Sequence, residues 1–220
     1  MILIFIILVS IGPAISKSLG NLSSKKNNQD SHASTFVLGE QKVLGIMVRI
    51  SGADGNSDKT TSDLHAALFT NSDSVNSFYK EVSYDKVWLS GDVKGWYTLN
   101  VSANCNKSRD IFVAAKAEAA KHVNIANYNK FVVFLDAPTM QCAWGGLGQG
   151  SDGLIYKHWD GNILLHEFGH ALGMGHTTAL DCGNEVIAAD TKQCTFGNRD
   201  WHDIMSGSKM HPNPIFKEKL

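Results

Sequence analysis

The segment His166-Glu-Phe-Gly-His-Ala-Leu-Gly-Met-Gly-His176 leaves this chain few ways to fold around it. Four residues of α-helix advance about 400°, so His166 and His170 project from one helical face, a turn apart. Leu164, Leu165, Phe168, Ala171 and Leu172 supply the apolar surface that packs such a helix into a domain. Gly173 can take the left-handed conformation that ends a helix and turns the chain, so that His176 returns toward the same point. Three neutral imidazoles and one water make a tetrahedral Zn²⁺ site with an open position. Glu167 adjoins the first of these ligands and is not expected to be one itself. Its carboxylate can reach the water, whose pKa the metal lowers, and accept its proton. The rival reading is a buried amphipathic helix whose histidines are satisfied by hydrogen bonds. The full pattern arises by chance in roughly one such chain in thirty thousand, and imidazoles on an apolar helix need partners. The metal reading is the stronger.

The chain around this segment is long enough to bury a core, at 220 residues. A formal net charge of −1 argues against a nucleic-acid partner, which calls for a basic surplus. The apolar run Ile2 to Ile11 is too short to span a membrane comfortably. Pro13 breaks it, and Ala14 and Ser16 suit a cleavage site, so residues 1–16 read as a signal peptide. No later segment is apolar and long enough for a stable membrane span. Residues 17–41 are poor in large apolar residues and read as a disordered or short pro-segment. An even set of cysteines fits an oxidising, extracellular compartment, with three pairings formally open. Local pairing, Cys182 with Cys194 and Cys105 with Cys142, is preferred over a four-cysteine zinc site, which lacks a close C-x-x-C pair. Asn21, Asn100 and Asn106 begin glycosylation sequons, relevant to a eukaryotic secretory route.

Residues 42–220 read as one domain of mixed α/β (α+β) class. Val43 to Ile50 forms a β-rich apolar run, with order expected to begin near Gln41. A polar loop follows over 51–59, then helical spacing from Leu64 to Val82, interrupted at Asn71 to Asp73. Val87 to Leu89 and Trp96 to Leu99 read as short strands separated by a glycine-containing turn. Asp110 to Val123 reads as a helix capped by Asp110, with Phe112, Ala115, Ala119 and Val123 on one side. Phe131 to Leu135 is a buried strand, and the glycine-rich 143–153 a loop or edge strand. His65, His122 and His211 lack metal spacing and read as surface residues. His202, three residues before Met205, is weighed as a contact to the substrate carbonyl or oxyanion against a surface role, the surface role being preferred. His158 is weighed as lining the cleft against packing or surface, the latter preferred. Trp88, Trp96 and Trp201 read as core residues. Trp159 reads as packing or surface in preference to lining the cleft, and Met174 as packing under the turn.

The zinc segment resembles the signature of the metzincin metallopeptidases, H-E-x-x-H-x-x-G-x-x-H followed by a Met-turn. Asp203-Ile-Met-Ser206 is the Met-turn this resemblance implies, with Met205 an apolar floor beneath the zinc and not a ligand. Ser77-Phe-Tyr-Lys-Glu-Val-Ser-Tyr84, Leu89-Ser-Gly-Asp-Val-Lys-Gly-Trp-Tyr-Thr98, Cys142-Ala-Trp-Gly-Gly-Leu-Gly148 and Ile215-Phe-Lys-Glu-Lys-Leu220 look like the gametolysin family. The resemblance implies a metzincin-like zincin fold: a twisted mixed sheet, an active-site helix and a small C-terminal subdomain. It also implies a secreted zinc metalloendopeptidase that cleaves extracellular or cell-wall proteins, with protein or peptide substrates. The rival from another class is a catalytically inactive zinc-binding adhesion or matrix-binding module. Retention of Glu167 argues against it, because such a module has no need of a base. A purely structural zinc would usually have a fourth protein ligand, and none is evident near the motif.

Overall fold

The alternating apolar residues of one strand organise the molecule. In strand β1 (Gly39–Ile50) successive side chains point to opposite sheet faces. Val43 and Met47 enter one core, while Leu44, Ile46, Val48 and Ile50 enter the other. A strand apolar on both faces belongs inside a sheet, with helices covering each side. In the computed structural model, which describes residues 37–183, 192, 194–197, 200–208 and 210–220, β1 lies between two parallel neighbours. The sheet runs β2-β1-β3-β5-β4, where β2 is Val87–Leu99, β3 Lys130–Asp136, β4 Gly146–Gly148 and β5 Gly153–Tyr156. All pairs are parallel except β4 with β5, which places an antiparallel strand at the edge.

One face is covered by helices α1 (Thr61–His65), α2 (Val75–Val82) and α4 (Gly161–Ala171). Their Leu64, Tyr79, Leu164 and Phe168 pack against Val132, Phe134, Leu154 and Tyr156. The other face is covered by α3 (Ser108–Ala119) through Ile111, Phe112, Ala115 and Ala119. Beyond α4 come a two-stranded ribbon, β6 (Ala179–Asp181) with β7 (Thr195–Gly197), a 3-10 turn at Ile204–Ser206 and the short helix α5 (Pro214–Lys217). The mixed α/β class and the mixed sheet agree with the sequence reading. Disulfides join Cys105 to Cys142, with Cα atoms 5.4 Å apart, and Cys182 to Cys194, at 4.2 Å. No described helix is long and apolar enough to cross a membrane. The signal peptide over 1–16, the tail up to residue 36 and the Asn21 sequon lie outside the described residues.

Several local expectations need correction. The two short strands over 87–99 are one continuous strand. Gly91 and Gly95, which read as a turn, have positive φ and lie against the β1 backbone, where a Cβ would collide with the carbonyls of Val43 and Met47. Here glycine marks close approach, not reversal. Asp110 does not cap α3: the N-cap position is Lys107, and Asp110 pairs with its ammonium at 3.3 Å. Val123 falls beyond the helix end. Trp88 and Trp201 are 41% and 71% exposed, so neither is a core residue. Trp88 sits on an edge strand, where one face meets solvent. Trp96 is half-buried, packed under the Arg49 guanidinium, with its indole N–H donating to Lys59 O at 3.0 Å.

Candidate active site

Helix α4 begins at an Asp160 cap, whose carboxylate accepts the Asn162 amide at 2.8 Å. Leu164, Phe168 and Ala171 face the core, which leaves His166 and His170 half-buried at the cleft. The helix ends where Gly173 adopts φ +87°. Gly173 N–H donates to His170 O at 2.9 Å and Met174 N–H to Gly169 O at 3.0 Å, the paired bonds of a Schellman turn. Met174 is buried, as that turn favours. The reversal carries His176 back over the helix, and the ring centroids of the three histidines lie 4.7 to 5.2 Å apart. One ring nitrogen from each lies within 4.8 Å of the others, and this is the one such cluster among the described residues.

The hydrogen bonds fix two of the tautomers. His166 Nδ1 lies 2.8 Å from Ile204 O, and His170 Nδ1 lies 2.8 Å from Met174 O. A carbonyl only accepts, so both Nδ1 atoms carry the proton and both Nε2 atoms carry a lone pair. Burial holds both rings below the ordinary histidine range, which keeps those lone pairs available. His170 Nε2 and His176 Nε2 stand 3.1 Å apart. A shared proton could join that pair, but it would leave the His166 lone pair unmet in the same space. A single cation satisfies all three. Tetrahedral zinc with bonds of about 2.0–2.1 Å holds its ligand nitrogens about 3.3 Å apart, close to this spacing. The donor set fits the ion.

Glu167 is buried beside this cluster and outside it. Burial pushes its carboxyl up to about 7, partly offset by a hydrogen bond from the Gly148 backbone. Edge strand β4 lies directly on this part of α4. A Cβ on Gly146 would stand 2.6 Å from Glu167 Cγ and 2.7 Å from Ile163 Cγ2. A Cβ on Gly148 would stand 2.8 Å from His170 Cβ. The glycines over 145–148 are therefore what lets a strand approach the helix so closely. Met205 is fully buried, with its sulfur where a Gly169 Cβ would be, and it lines the cleft together with His166 and His176. An open cleft of about 330 Å³ extends from His166 and His176 along Thr177, Thr178 and Ser206.

Other histidines stay apart from the cluster. His158 and His202 are exposed. His122 stacks on Tyr97 and His65 packs on Phe69, while His211 bonds Glu81 at 3.0 Å. Asn100 and Asn106 are exposed, as glycan attachment requires. Three contributors escaped the sequence reading: Gly146, Gly148 and Lys130. The Lys130 ammonium donates to Ala171 O, at the end of α4, at 2.8 Å. A lysine opening a buried strand was the one available signal.

A family model described as Peptidase M66 matches residues 19–193, which spans the helix and all three histidines but stops short of Met205. No curated protein matches the chain. Among solved structures, one titled as a chaperone–substrate complex aligns with a TM-score of 0.35 at 10% identity, over 78% of this chain. The chain spans 31% of that structure's length, and a likeness this weak carries no argument.

Proposed function

From the premise that this chain belongs to the Peptidase M66 family of zinc metallopeptidases, we propose that it is a secreted endopeptidase whose zinc is held by His166, His170 and His176. The observation that carries this reading is the convergence of three ring nitrogens beside a buried carboxylate. Zinc bound there supplies Lewis acidity, which makes water nucleophilic near neutral pH and polarises a peptide carbonyl. Glu167 accepts the proton of the attacking water and passes it to the leaving amine. The carbonyls of Ile204 and Met174 fix the ring orientations of His166 and His170, so that each Nε2 faces the cleft. Met205 closes the floor below them and excludes water from the apolar side. Strand β4 lies at the sheet edge, so its outer backbone groups can pair with an extended substrate chain and lay it past Glu167. Two disulfides support an extracellular setting, where protein or cell-wall substrates and glycans on Asn100 and Asn106 belong.

The test is Glu167→Gln. Gln keeps the volume and cannot take the proton, so zinc stays bound while proteolysis falls by roughly 10²–10⁴-fold. His166→Ala loses zinc and activity together. A zinc-loaded Glu167→Gln protein that cleaves casein at the wild-type rate rules the mechanism out.

A further inference from the structure

The turn beneath the histidines is built around a side chain that the hydrolytic reading leaves without a task. Asp203 is fully buried. Its Oδ1 accepts the Met205 amide at 2.7 Å and its Oδ2 the Asn213 amide at 2.9 Å. Its backbone carbonyl accepts the amides of Ser206 and Ser208 at 3.0 and 3.3 Å. Both carboxylate oxygens are acceptors, as in the ionised group. Among the described residues no lysine, arginine or histidine forms an ion pair with it. A buried charge without a counter-charge is costly, and proteins rarely keep one without use.

The geometry around Asp203 leads to the histidines. The next residue offers its carbonyl, Ile204 O, to His166 Nδ1 at 2.8 Å. Met205 O receives the amide of Thr177, which follows His176, at 3.4 Å, and Ser206 Oγ lies 2.7 Å from Thr177 Oγ1. One turn thus holds the ring of one ligand, His166, and the residue that follows another, His176.

We propose that Asp203 is a positioning residue for the metal centre: its buried charge, and its grip on the Ile204–Ser206 turn, aim His166 and raise the affinity of the three imidazoles for a divalent cation. This rests on the zinc reading above. The test measures zinc affinity by competition with a chromogenic chelator for the wild type, Asp203→Asn, Asp203→Glu and Asp136→Asn. Asp136 is a mostly buried carboxylate, paired with Arg49 at 3.2 Å and outside the three-histidine cluster, so it controls for loss of a structural charge. Asp203→Asn is expected to weaken zinc binding roughly 10–100-fold, the usual effect of losing a partner behind a ligand. Asp203→Glu should recover part of that loss, and Asp136→Asn should leave zinc affinity unchanged. A folded Asp203→Asn protein with wild-type zinc affinity overturns the inference, as does an equal loss in Asp136→Asn. If Asp203→Asn does not fold, Asp203→Ser keeps a cap acceptor without the charge and is read in the same way. Misfolding of both that excess zinc does not rescue makes Asp203 a purely structural residue and overturns the inference too. A wild type that takes up no zinc sinks the metal-centre reading itself, which is a different failure.

Discussion

Replacing Gly146 by alanine should disable the enzyme while leaving its metal in place. The backbone there is extended, and no left-handed conformation is required, so alanine is acceptable to the main chain. The added Cβ is not acceptable to its surroundings. It would meet Glu167 Cγ at 2.6 Å and Ile163 Cγ2 at 2.7 Å, whereas non-bonded carbons rest at about 3.5–4.0 Å. Relief requires β4 and α4 to separate, or Glu167 to swing, by about 1 Å. Overpacking of this kind costs roughly 1–3 kcal/mol of stability. A misplacement of about 1 Å at a reacting group costs about 10²-fold in rate. The rings of His166 and His170 are held by the carbonyls of Ile204 and Met174, neither of which belongs to β4, so zinc stoichiometry should persist. The assay pairs urea denaturation and metal content with kcat/KM on a casein-derived peptide. Gly161→Ala is the control: it lies at the start of the same helix with no heavy atom within 4 Å of the new Cβ, and should be neutral or slightly stabilising. A Gly146→Ala protein with wild-type rate and stability would refute the claim that β4 rests on the Glu167 carboxylate.

Two further outcomes follow from contacts away from the cleft. Removing the Cys105–Cys142 bridge by paired serine substitution should cost about 4 kcal/mol, given the 37-residue separation it closes; unchanged thermal stability would contradict this. Lys130→Met should cost about 1.5–3 kcal/mol, because it strips a charged donor from Ala171 O and Ser151 O; denaturant unfolding reads the change, and an unaltered midpoint would show that the helix end needs no such cap.

The parts of this molecule that were legible in the sequence are those that short-range periodicity dictates. Spacing of four put His166 and His170 on one face, and Gly173 marked the turn that returns His176. The apolar runs at Val43 to Ile50 and Phe131 to Leu135 could only be buried strands. What sequence could not carry was the neighbour across space. Gly91 and Gly95 look like a turn until the β1 backbone is seen against them. Trp88 looks like core until its strand proves to be the edge. Gly146 and Gly148 read as loop or edge-strand residues, and the edge strand is what forms, but nothing local says that helix α4 lies on top of them. Asp203 was visible only as part of a turn; its bond from the Asn213 amide, and the bond between the next residue's carbonyl and His166, join positions that no local pattern connects.

The central claim is that one zinc ion, held by His166, His170 and His176, gives this chain its peptidase activity. The most direct measurement is metal content of the purified protein by elemental analysis, read beside casein cleavage before and after chelation. The account predicts one zinc per chain, loss of cleavage when the metal is stripped, return of both on adding zinc, and loss of both in His170→Ala. A protein that carries no zinc, or that cleaves casein equally well in excess chelator, would contradict it.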